Sequence, residues 1–177
     1  MEGARGKQLM VLGIGNEAMA DDGLGVEIVR ELGRRRLPEG VRTAILGPDP
    51  LDLLLLDSRA DGLVIVDAIV GDGQPGTLRI LSVDDILGTR ASNAPSSLHQ
   101  VGLQETFRLA KAMGLERTMP IVVVGIEAGA IQPGAELSPG LAGTFPAIVD
   151  AVAAEIAKLL RSFEKNHGQQ AKEADRA

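Results

Sequence analysis

Three runs, Leu9-Met10-Val11-Leu12, Leu63-Val64-Ile65-Val66 and Ile121-Val122-Val123-Val124, contain no polar residue, and they end at Gly13, Asp67 and Gly125. A strand with one wet face alternates polar and apolar side chains, so a run with no polar member suits a strand buried on both faces. Covering both faces of a sheet takes two layers of helices, and the segments between the runs supply them. From about Asp22 to Arg36, Leu24, Ile28 and Leu32 fall on one stripe with Val29 beside them, and Pro38-Glu39-Gly40 ends the helix. Arg34, Arg35 and Arg36 sit in its last turn, where cations suit the negative end of the helix dipole.

The remaining elements follow the same alternation. A second strand reads from about Arg42 to Leu46, and Pro50 opens a short leucine-rich helix. Thr77-Leu78-Arg79-Ile80-Leu81 alternates, as an edge strand with one wet face does. A helix is predicted from about Leu98 to Met113. In the final helix Phe145, Val149, Val152, Ile156, Leu159 and Phe163 share a face. The expected fold is α/β: three layers, doubly wound, with a mostly parallel sheet of about five strands, an antiparallel edge strand and helices on both faces. Residues 1–163 are expected to form a single domain. Beyond Glu164 apolar residues thin out, so 164–177 is expected to be a disordered tail.

Composition removes several classes of function. The 177 residues include no Cys, which excludes a disulfide framework, a thiolate metal site and a Cys nucleophile. With three Phe, no Tyr or Trp and a formal net charge of -6, the chain offers little stacking surface and an acidic balance that disfavours anionic partners. Neither a nucleic acid nor an anionic membrane is an expected partner. The N-terminal MEGARGKQ does not read as a signal peptide, and no apolar run approaches the ~20 residues that span a bilayer. A cytoplasmic location is expected; the sequence leaves the oligomeric state open.

In open α/β sheets ligands bind beyond the carboxyl ends of the strands, which directs attention to the loops after the apolar runs. After the first, Gly13-Ile14-Gly15-Asn16-Glu17-Ala18 matches the dinucleotide pattern G-x-G-x-x-A. Asp21 and Asp22 then place two negative charges where a pyrophosphate would sit, so the glycines are read as allowing a tight turn close to a neighbouring backbone. One Asp is enough to cap a helix, and Asp21 takes that role. Asp22, in the first turn, is expected to be ionised and able to bind a cation. Asp67 follows four apolar residues, where an ionised carboxylate is costly unless paired or coordinating. Ser97-Leu98-His99-Gln100 reads as a capping box that puts His99 in the first turn of its helix. The dipole there favours the neutral imidazole, the form that binds metal. Two carboxylates and a neutral His suit divalent nickel or zinc. Glu127, after the third run, is placed where it could line the same cleft but is read as an exposed loop acid.

These residues resemble the hydrogenase maturation proteases. The resemblance runs through Val11-Leu12-Gly13-Ile14-Gly15-Asn16, Asp21-Asp22-Gly23-Leu24-Gly25, Val66-Asp67-Ala68, Pro75-Gly76-Thr77, Ser97-Leu98-His99-Gln100-Val101-Gly102-Leu103, Val124-Gly125-Ile126-Glu127 and Leu137-Ser138-Pro139. It implies a doubly wound fold and a peptidase of aspartyl type. Its substrate would be the precursor of a nickel–iron hydrogenase large subunit, which loses a C-terminal extension. The family's metal-contacting residues fall on Asp22, Asp67 and His99, with Asp22 or Asp67 as the catalytic general base. Asp22 is one methylene shorter than the Glu some members carry. The nickel implied is carried by the substrate, and other divalent cations are expected to enter the site of the isolated protein. The chain departs from the family after the second strand, where Gly47-Pro48-Asp49-Pro50 replaces an acid followed by Gly-Gly-Thr or a close variant. Two other readings are a nickel-checking chaperone without proteolysis and a nucleotide-binding oxidoreductase built on the glycine loop.

Overall fold

The computed structural model describes residues 8–56, 59–88 and 98–174, with side chains described throughout except at 98–101 and 164–174. Five strands form one sheet in the order β2-β1-β3-β5-β4: β1 Leu9–Ile14, β2 Val41–Gly47, β3 Gly62–Ile69, β4 Leu78–Ser82 and β5 Ile121–Glu127. All neighbours are parallel except β4, which runs antiparallel to β5 at the edge. The expected mixed sheet with an antiparallel edge strand is the one observed. All eight residues of β3, Asp67 among them, are buried, as a central strand covered on both faces requires.

Strand side chains alternate between two cores. On one face Leu9, Val11, Val64, Val66, Val124 and Ile126 pack against α1 Leu24–Arg34 and α5 Pro139–Ala174. On the other, Leu12, Ile14, Leu63, Ile65 and Val123 meet α2 Asp52–Leu55, α3 Val83–Leu87 and α4 Leu98–Ala112. The three layers follow from that division. β1 leads through α1 to β2 on one side, whereas β3 leads to β4 and β5 on the other. The chain therefore reverses direction across the sheet between β1 and β3, and a crevice opens beyond their carboxyl ends.

Several boundaries differ from the sequence reading. The helix expected from about Asp22 is two elements, a 3₁₀ turn at Ala20–Gly23 and then α1, whose N-cap is Gly23 with no side-chain cap. β3 continues past Asp67 to Ile69 because β5 runs beside it, pairing Asp67 with Gly125 and Ile69 with Glu127. Helix α3 lay outside the sequence reading although its cap is local: Ser82 Oγ accepts from Asp85 N at 3.1 Å, and Asp85 Oδ2 accepts from Ser82 N at 2.8 Å. The proposed Ser97 cap lies outside the described residues. The helical backbone of α5 runs on through Ala174, across the start of the expected tail at 164.

An 18-residue window within Pro139–Phe163 reaches a mean hydropathy of 1.4, so by length and composition alone this helix could span a membrane, although charged residues interrupt it. Small apolar residues on its outer side raise the hydropathy. Its inner stripe (Leu141, Ile148, Val149, Val152, Ile156 and Leu160) packs in the α1 face of the core, as an α/β layer helix does.

Candidate active site at the β1–β3 crevice

Asp67 is the first residue of β3 beyond its ladder with β1, which ends at the Gly13–Val66 pair. It is 1% exposed, and by alternation it shares the sheet face of Leu63 and Ile65, the face covered by α4. Burial inside a strand, rather than at its end, corrects the position expected from the sequence. Asp22 lies in the 3₁₀ turn and is 2% exposed.

Two glycines set the Asp22 turn and the start of α1 against the central strands. A Cβ on Gly25 would stand 2.3 Å from Val66 O and 2.4 Å from Ile14 O, so the first turn of α1 rests directly on the backbone of both central strands. Gly15, with φ +145°, leaves room for the carbonyl of Asp22, which a Cβ there would approach to 2.1 Å. The glycines of the G-x-G loop thus serve close backbone packing, as read from the sequence.

The backbone of His99 lies in the first turn of α4. Its side chain is outside the described residues. The same end of α4 reaches the loop after β2, where a Cβ on Gly102 would be 3.3 Å from Pro50 Cγ. In that loop Asp49 Oδ1 accepts from Leu51 N at 2.9 Å and turns the chain into α2. Among the described residues no group of three or more His, Asp or Glu forms a ready metal cage.

Two acids have roles that the sequence reading missed. Asp21 caps no helix: its buried carboxylate accepts from Gly129 N, Ala130 N and Ser138 N at 2.9, 2.6 and 2.7 Å. Glu127 is not an exposed loop acid. It closes β5, is 1% exposed, and meets Arg79 Nε at 2.7 Å across the β4–β5 pair. Arg79 also donates to the exposed Asp72 at 2.5 Å, which holds the Asp72 carboxyl below its ordinary range. The period-two pattern carried a signal for Glu127, since it continues Val123 and Gly125 on the α4 face. Nothing local signals Asp21, whose partners lie more than 100 residues away.

The doubly wound sheet and the sequence that builds it have counterparts in known proteins. The family model for hydrogenase maturation proteases matches residues 26–155, a span that includes Asp67 and His99 and begins just after Asp22. The chain belongs to the hydrogenase maturation protease family. The hydrogenase expression/formation protein HupM of Azotobacter chroococcum mcd 1 is 32% identical over 82% of this chain and 70% of that one. The hydrogenase 2 maturation protease of Escherichia coli K12 is 30% identical over 87% and 91%. Among solved structures, the hydrogenase maturating endopeptidase HybD from E. coli superposes with a TM-score of 0.68 at 29% identity, covering 85% of this chain and 93% of that one. This family member is a maturation endopeptidase.

Proposed function

We propose that the chain cuts the C-terminal extension from the precursor of a nickel–iron hydrogenase large subunit after nickel insertion, and that Asp22, Asp67 and His99 engage that nickel. The metal is cargo of the substrate. The observation that carries the reading is the seating of Gly25 on Val66 O, which puts the Asp22 turn beside the β3 end that bears Asp67. Helical spacing supports His99 as the third member. It stands one and two turns before Leu103 and Phe107, both buried in the core under α4. Two carboxylates and an imidazole make a mixed oxygen and nitrogen donor set that suits nickel.

The chemistry this site supports is hydrolysis of one peptide bond. Engagement of the nickel fixes the scissile carbonyl in the crevice, and Asp22 or Asp67 takes a proton from the attacking water. The water oxygen bonds to the carbonyl carbon, the C–N bond breaks, and the proton passes to the departing amine.

Nickel-loaded precursor incubated with the wild-type chain should yield a shortened large subunit on a gel, and nickel-free precursor should not. His99→Ala and Asp67→Asn should each slow cleavage by about 100-fold or more, as expected where a positioned acid–base or metal-contacting group is lost. Normal cleavage by both variants would remove the assignment. Capture of the precursor without any shortened product would favour the chaperone reading.

A further inference from the structure

We propose that Asp21 is a positioning residue that clamps segment 128–138 onto the Ala20–Gly23 turn, making that segment a wall of the peptide-binding crevice. The inference rests on the endopeptidase reading above and extends it to the part of the site that holds peptide rather than metal.

Three backbone N–H groups, all from this one segment, converge on the Asp21 carboxylate: Gly129 and Ala130 on Oδ2, Ser138 on Oδ1. The backbones are tied as well. Asp21 N donates to Ala130 O at 3.2 Å, Ala20 N to Gly134 O at 2.6 Å, and Gly134 N to Ala18 O at 2.9 Å. The segment leaves the carboxyl end of β5 and enters α5, and its middle residues, 132–136, are exposed. It therefore stands on the ligand-binding side of the sheet with its two ends pinned by one side chain.

A buried carboxylate is an expensive way to close a loop, because its desolvation has to be offset by several donors in good geometry. Asp21 has those donors, and they all belong to a segment distant in sequence. The next residue, Asp22, is held separately by the contacts at Gly15 and Gly25, so the clamp sets the wall rather than the acid. The turn is held against its own preferences: Ala20 takes φ +51°, a left-handed conformation that a non-glycine residue keeps only where surroundings enforce it. On the outer side Arg30 grips Glu17 at 2.7 Å.

Asp21→Asn keeps one acceptor oxygen but turns an amide N–H₂ toward donors. In a folded variant the KM for nickel-loaded precursor should rise about tenfold with kcat within about threefold, the pattern of lost substrate binding. Hydrogen exchange at Gly129 and Ala130 should quicken. A purely structural residue would lower the active fraction, hence the apparent kcat, and leave KM unchanged. If Asp21→Asn does not fold, Gly129→Ala tests the clamp from the other side, since its Cβ would stand 3.2 Å from Asp21 Oδ2 and 3.0 Å from Ser138 Oγ. It should raise KM several-fold. Wild-type KM and wild-type exchange in the folded variants would overturn the proposal. If the wild-type chain cleaves nothing, the endopeptidase reading fails by itself. The clamp is then decided by exchange and by precursor binding, weakened about tenfold or unchanged.

Discussion

Substituting Gly25 by Ala sets two physical effects of opposite sign against each other. Alanine is the better helix former by up to about 1 kcal/mol, so propensity alone predicts stabilisation of α1. The new Cβ, however, would lie 2.3 Å from Val66 O, about 1.1 Å short of ordinary contact, and 2.4 Å from Ile14 O. Both obstacles are backbone atoms of β1 and β3, the central strands, and no side chain can rotate away to make room. The helix has to lift, and forced repacking of this kind costs about 3 kcal/mol, at the upper end of overpacking penalties. Sterics win. The expected net loss is about 2 kcal/mol, or roughly 4–8 °C in Tm for a chain of this size. Gly143→Ala is the matched control: nothing lies within 4 Å of a Cβ there, so propensity acts alone and stability should rise by about 0.5–1 kcal/mol. Urea and thermal melts of both variants measure the difference. Lifting α1 also carries the Asp22 turn away from Asp67, and a displacement of about 1 Å is enough to slow precursor cleavage about 100-fold. If Gly25→Ala proves as stable as Gly143→Ala and cleaves normally, the seating of α1 on β3 is not what builds this site.

Other consequences can be checked in the same melts. Arg79→Ala leaves the buried Glu127 carboxylate without its cation; because Arg79 is itself 32% exposed, the variant should melt below the wild type, by less than the loss of a fully buried pair would cause. Asp72→Ala removes the exposed partner of the same arginine and should cost less than Arg79→Ala; equal losses from the two variants would refute this ranking. The Glu17 carboxyl is held below its ordinary value of 4.5, chiefly by its hydrogen bond to Arg30. The folded state therefore takes up this proton less readily than the unfolded state. The stability it contributes is present above pH 4.5 and is lost as pH falls through the lowered value. Glu17→Gln should flatten that acid limb by a few tenths of a kcal/mol, a size set by the exposure of the pair. An unchanged limb in urea melts from pH 6 to about pH 3 would count against the ion pair.

The parts of this protein that its sequence determines are those governed by neighbours along the chain. An all-apolar run has one stable setting, a strand covered on both faces, so Leu63–Val66 announced the central strand and with it the layered sheet. The stripe of Val149, Val152 and Ile156 likewise announced the last helix, because helical period alone brings those side chains to one side. Asp67 stood out for a related reason, since a charge at the end of an apolar run conflicts with its surroundings unless it has a task, and Asp22 stood out as a second acid where one suffices for a cap.

Asp21 and Glu127 were misread because their surroundings are not local. The rule that Asp caps helices describes what a carboxylate does with the nearest free N–H groups. In the folded chain Gly129, Ala130 and Ser138 bring donors to Asp21 from across the fold. Glu127 looked like a loop acid until the β4–β5 register set Arg79 beside it. The strand order β2-β1-β3-β5-β4 decides which loops share the crevice, and backbone contacts at Gly15 and Gly25 decide how near Asp22 comes to Asp67. Both depend on which surfaces pack together, and that free energy is summed over the whole core. Local rules could therefore name the acids, but only the packed sheet could bring the Asp22 turn against the strand that bears Asp67.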